Sequence, residues 1–99
     1  PAIIGFHVLA VLLFKVRPGK IRSVAATLTA LNEVSNLIIT AGSHDIICYA
    51  NFRDSRHISD FINERAIRIS GVIRVESMIV HSTDKVAFSI LSQGLKQDV

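Results

Sequence analysis

The chain has 99 residues, 49% of them hydrophobic and 19% charged, with one cysteine, no tryptophan and a formal charge of +3. A domain of this size buries only about 60 to 65% of the surface its unfolded chain exposes, so there is room for one core and not two. The composition excludes a disordered chain, and the mean hydropathy of +0.44 is more apolar than a small monomer needs.

The longest uncharged run, Pro1 to Phe14, is closed by Lys15 and Arg17 and falls short of the about 17 to 25 residues of a spanning helix. It also lacks the basic residue that opens a signal peptide, and the lone Cys48 is not the even set of a small secreted domain. A cytoplasmic protein is expected, without membrane contact. The lysines and arginines are scattered among Glu33, Asp54, Asp60 and Glu64, so no basic run marks a nucleic-acid footprint.

In chain order, Phe6 to Val16 is rich in Val, Leu, Ala and Phe with no turn former and reads as a long strand. Pro18-Gly19 breaks it. From Pro18 to Leu31 the apolar positions Ile21, Val24, Ala25, Leu28 and Leu31 recur at spacings of three and four, the pattern of an amphipathic helix with proline near its first turn. Val34 to Ala41 and Asp45 to Phe52 are short Ile- and Val-rich runs joined through Gly42, a hairpin signal. Asp54 is placed to cap a second helix with Ile58, Phe61, Ile62, Ala66 and Ile69 on one face, and Ser70-Gly71 stops it. Val72 to Ser82 reads as the last long strand, and Val86 to Leu91 as a short edge strand or arm. This order is the split βαβ of the ferredoxin-like α+β fold, βαββαβ, an antiparallel sheet with two helices on one face. The whole chain, 1–99, reads as one domain, with 1–5 as linker and 83–99 as C-terminal strand and tail.

With helices enough for one face only, the other face of a monomer should be polar at alternate positions. In the first strand, however, Val8, Ala10, Leu12, Phe14 and Val16 are opposed by Leu9, Val11 and Leu13. In the third, Ile46, Cys48, Ala50 and Phe52 are opposed by Ile47 and Tyr49. A sheet apolar on both faces predicts that Leu9, Val11, Leu13, Ile47 and Tyr49 pack on another chain, making at least a dimer.

No enzyme motif is present. Cys48 reads as a small buried hydrophobe, and the four histidines His7, His44, His57 and His81 lack metal-ligand spacing, so neither metal nor cofactor is expected. His57, in the first turn of a helix, reads as solvated, and Asp45 and Glu76 read as residues of adjacent strands. The cluster Gly42-Ser43-His44-Asp45 combines a permissive backbone, a hydroxyl, an imidazole and a carboxylate able to receive an ammonium group. As a turn alone it needs no further role.

Phe14-Lys15-Val16-Arg17-Pro18-Gly19-Lys20, then Val34 to Thr40, Gly42-Ser43-His44-Asp45, and Ser70-Gly71-Val72 leading through Arg74, Glu76 and Ser77 to Ile79-Val80, resemble the effector-binding RAM domain of the Lrp/AsnC (feast/famine) regulators. The resemblance spans roughly residues 6 to 82. It implies a module that dimerises through its sheet, assembles further, commonly to octamers, and binds an amino acid or related small effector between dimers. The family's Gly-x-x-Asp turn falls on Gly42 and Asp45, with Ser43 and His44 between them, and the hydroxyl of its last strand falls on Ser77. His44 stands where the family often has an aromatic residue, and Val75 where it often has threonine. His44 is expected to make binding sensitive to pH near neutrality. The resemblance also implies contact with DNA only through a helix-turn-helix domain, for which residues 1 to 5 leave no room, so an excised effector domain or a stand-alone RAM protein is expected. The alternative function is a small dimeric α+β barrel enzyme of the cofactor-free monooxygenase or isomerase type, built on the same βαββαβ unit.

Overall fold

The computed structural model describes residues 8–81. Along them run β1 (Val8–Val16), α1 (Ile21–Thr29), β2 (Val34–Ile39), β3 (Ile46–Phe52), α2 (Ser55–Glu64), a 3-10 turn (Ala66–Arg68) and β4 (Val72–Ile79). The strands form one antiparallel sheet in the order β2-β3-β1-β4. This is the ferredoxin-like βαββαβ arrangement anticipated from the periodicities. His7, the linker, the run 86–91 and the tail lie outside the described residues.

The first turn differs from expectation. Pro18 and Gly19 are not part of α1, which starts at Ile21 after Lys20. Lys20 N–H donates to the Arg17 carbonyl at 3.0 Å, and Gly19 has φ +87°. A proline at the second position and a positive-φ glycine at the third is the chemistry of a type II turn, which outcompetes helix initiation here. At α2 the N-cap is as expected, Asp54 Oδ1 accepting the otherwise orphaned His57 amide at 2.8 Å, but the helix ends at Glu64, not at Ser70-Gly71, and Ala66–Arg68 forms a separate 3-10 turn.

The core lies between the helices and one face of the sheet. Ala10, Leu12, Phe14 and Val16 of β1 and Ile46, Cys48, Ala50 and Phe52 of β3 are buried against Val24, Leu28, Ile58 and Phe61. Phe52 meets Phe61 edge-on, with ring centroids 5.2 Å apart. Gly71, with φ +102°, brings the start of β4 hard against α1: a Cβ there would lie 2.6 Å from the Lys20 Cβ.

One buried polar cluster fastens α2 to this core. Glu33, in the α1–β2 connection, is 7% exposed and accepts hydrogen bonds from His57 Nε2 at 2.9 Å and from Arg65 Nη2. His57 Nδ1 accepts the Arg53 amide at 3.0 Å, which leaves the proton on Nε2 and fixes the neutral tautomer. The solvated reading of His57 is therefore corrected: at 8% exposure it is part of the interior, because both of its ring nitrogens find partners within the protein. Burial alone would raise the Glu33 carboxyl, but the hydrogen bonds from Arg65, His57 and the backbone outweigh it and hold it below the ordinary value.

Candidate functional site

The turn after β2 is closed by backbone and side chain together. Thr40 N–H donates to the Asp45 carbonyl at 2.9 Å, and Thr40 Oγ1 donates to the His44 carbonyl at 2.9 Å. Gly42, at φ +124°, supplies the one conformation in this loop that side-chain-bearing residues resist, and nothing stands within 4 Å of where its Cβ would be.

Asp45 has a structural task that its place in the sequence does not betray. The pairing of β1 with β3 ends at Phe14 and Ile46, which leaves the Val16 amide, on the same edge of β1, beyond the ladder. Asp45 Oδ2 takes that amide at 2.8 Å, Asp45 N–H donates to the Phe14 carbonyl at 2.8 Å, and Lys15 Nζ lies 3.7 Å from the same carboxylate oxygen. The hairpin tip is thereby bolted to the end of β1.

His44 reaches the other way. Its Nε2 lies 3.3 Å from Glu76 Oε1 and its Nδ1 lies 3.2 Å from Ser43 Oγ, while Arg74 Nε donates to Glu76 Oε2 at 3.2 Å. A carboxylate only accepts, so the His44 nitrogen facing Glu76 carries a proton. The expectation that Asp45 and Glu76 sit on adjacent strands is corrected, because β1 runs between β3 and β4. It is His44, leaning over β1, that meets Glu76.

Ser77 stands apart from this cluster. Glu76 is paired with Leu13 of the open face, whereas Ser77 is paired with buried Leu12 and so faces the helices. There it lines a groove of about 310 Å³ between α2 and β4, with Ile58, Ile62 and Ile79 as its apolar surface and Ser59 and Asn63 among its polar groups. Within one copy, Gly42, Ser43, His44 and Asp45 come together and Ser77 does not join them.

The face away from the helices carries Leu9, Val11 and Leu13 of β1 and Ile47 and Tyr49 of β3, all half-buried. Cross-strand neighbours extend it: Ile38 is opposite Ile47, and Met78 opposite Val11, each about half exposed. Cys48 points to the other side, where burial pushes its thiol up to about 12 and keeps it protonated, so it is no ready nucleophile. Among the described residues no group of three or more His, Cys, Asp or Glu is placed to hold a metal ion, and no helix is long and apolar enough to cross a membrane.

The Lrp/AsnC ligand binding domain family matches residues 9–89, most of the chain. The chain belongs to that family. A relative in Pyrococcus furiosus, named as an uncharacterized HTH-type transcriptional regulator, is 35% identical over 82% of this chain and 55% of its own length. The chain thus spans about half the length of the curated relatives it matches. Among solved structures, FFRP-DM1 superposes with a TM-score of 0.72 at 26% identity, over 75% of this chain and 99% of that one. A transcriptional regulator of Neisseria meningitidis, solved as an L-Met complex, superposes with a TM-score of 0.76 at 23% identity, over 83% of this chain and 55% of that one. Both share the βαββαβ fold. An Lrp/AsnC ligand-binding domain is what the strand and turn order resembled.

The Glu33–His57–Arg65 cluster had escaped the sequence reading. His57 and Arg65 lie 24 and 32 positions from Glu33, and only the packing of α2 across the sheet brings the three together.

Proposed function

We propose that this chain is the amino-acid-sensing and oligomerisation module of a transcriptional regulator. In this reading copies join through the face bearing Leu9, Val11, Leu13, Ile47 and Tyr49, and the effector is held at a boundary between copies by the Gly42–Asp45 hairpin with Ser77. DNA contact belongs to a helix-turn-helix domain outside residues 8–81, and the module itself does no chemistry on its ligand.

The observation that carries the reading is the two-sided apolar sheet in a chain of this family. The helices close one face and leave the other, with its aliphatic and tyrosine side chains, to water or to a partner. The opposite orientations of His44 and Ser77 support a site made from more than one copy. The Neisseria regulator, solved as an L-Met complex, supports an amino acid as the ligand class. The enzyme alternative needs a roomy chamber between helices and sheet, and that space is filled by Leu12, Phe14, Leu28, Phe52 and Phe61.

The test is calorimetry with the twenty amino acids on the wild-type chain and on Asp45→Asn. Alanine at this position would also free the Val16 amide, whereas asparagine keeps an oxygen acceptor for it and removes only the charge. Loss of a charge-assisted hydrogen bond to an ammonium group should weaken binding by about tenfold or more. Unchanged affinities in Asp45→Asn would remove Asp45 from the site.

A further inference from the structure

Cations that lie scattered along the chain meet at one corner of the fold. Arg17 N–H donates to the Gly71 carbonyl at 2.8 Å and Lys20 N–H donates to the Arg17 carbonyl at 3.0 Å, which ties the turn between β1 and α1 to the start of β4. The 3-10 turn, with Arg68 at its end, leads into the same junction. Arg17, Lys20, Arg22 and Arg68 are exposed, and among the described residues none of them has a carboxylate partner. Asp45 is taken by Lys15, and Glu76 by His44 and Arg74. The carboxylate side chains outside the described residues, Asp84 and Asp98, are balanced by Lys85 and Lys96, so the positive excess stands for the whole sequence. Beside these cations the corner holds out apolar side chains: Ile67 of the 3-10 turn is 39% exposed and Ile73 of β4 is 52% exposed. Lys15 is opposite Arg74 and Val16 is opposite Val72, so the register shift between them leaves Ile73 opposite no residue of β1.

We infer that this corner docks an acidic amphipathic segment of another protein, one whose carboxylates are interleaved with aliphatic or aromatic side chains. The inference does not depend on the effector site, which it leaves untouched. Arg17, Arg22 and Arg68 each present a planar fork that matches a carboxylate with paired hydrogen bonds. Arg68 Nε donates to the Asn63 carbonyl at 3.3 Å, which steadies the guanidinium and leaves its terminal nitrogens for a partner. A single exposed ion pair contributes little. An array of unpaired cations, however, steers an acidic partner onto the corner, and burial of Ile67 and Ile73 holds it there. The phosphate backbone of a nucleic acid would satisfy the cations but has no apolar surface to cover the isoleucines, so the pairing of the two features favours a protein.

Fluorescence anisotropy of a labelled peptide rich in glutamate and leucine, set against oligoglutamate of the same length and a short DNA duplex, reads the docking directly. The amphipathic peptide should bind the wild-type chain at least about tenfold tighter than either control. The substituted positions are exposed, so the variants keep the wild-type far-UV dichroism and melting temperature. Arg17→Glu with Arg68→Glu should weaken the peptide by about tenfold or more and flatten its dependence on salt. Ile67→Ser with Ile73→Thr, which keeps a β-branched residue in β4, should weaken it by about tenfold and leave the salt dependence in place. Peptide affinity unchanged in either folded double variant, or no binding by the wild-type chain, would overturn the inference. So would oligoglutamate or the duplex binding as tightly as the peptide, because the corner would then be a plain polyanion surface in which the isoleucines play no part.

Discussion

The two faces of the sheet are written in nearly the same alphabet and meet different fates. On β1, Ala10, Leu12 and Phe14 disappear beneath α1 and α2, while Leu9, Val11 and Leu13, one residue out of step, stay half-buried. On β3 the same contrast separates Cys48 and Ala50 from Ile47 and Tyr49. Side-chain chemistry does not distinguish the faces; the helices do. A face that stays apolar although the described residues do not cover it is what the proposed contact between copies explains.

Mutations should separate the faces. Leu12→Ala opens a cavity in the closed face and should cost about 2 to 5 kcal/mol in denaturant unfolding. Leu13→Ala, measured in the same way on dissociated protein, should cost far less, and equal losses would erase the contrast. A second pair compares two glycines, both near the end of β1. Gly71→Ala forces a Cβ to within 2.6 Å of Lys20 at a φ of +102°, prising β4 from α1, and should cost about 2 to 3 kcal/mol. Gly42→Ala meets open space and suffers only its backbone strain, about 1 kcal/mol.

Glu33→Ala sharpens the account of the closed face, because it leaves His57 Nε2 without its carboxylate partner and should cost about 1 to 3 kcal/mol. The sign with pH follows from the lowered folded pKa of Glu33, whose ordinary value is 4.5. Its contribution is complete above that unfolded value and fades as the pH falls through the lower folded one. Wild type and Glu33→Ala should therefore differ in melting temperature at neutral pH and converge in acid below pH 4.5. A difference that persisted undiminished in strong acid would mean the carboxylate's charge is not what matters.

Much of this was legible in the sequence. Period-three-and-four apolar spacing marked both helices, and the doubled apolar parity marked the open face, because both are local patterns that tertiary contacts merely read out. The hairpin was legible from Gly42, and its bolt to β1 was not. Asp45 looks like a free carboxylate until the end of the β1–β3 ladder at Phe14 exposes the Val16 amide that it caps, and where a ladder ends has no signature in one strand alone. His57 misled for a related reason: polarity and a first-turn position argue for water, while its partner Glu33 lies in a different connection. Ser77 was assigned to the hairpin by resemblance, and only its pairing with Leu12 reveals that it faces the other way.

The central claim is that the open face joins copies of this chain. Sedimentation equilibrium of wild type and Val11→Asp tests it most directly, because Val11 lies amid this face, opposite Tyr49 and Met78, and does not enter the helix-side core. The account predicts a wild-type chain that is at least a dimer and a Val11→Asp chain that is a folded monomer with unchanged far-UV dichroism. A Val11→Asp chain that stays fully assembled, or a wild-type chain that is monomeric at high concentration, would contradict it.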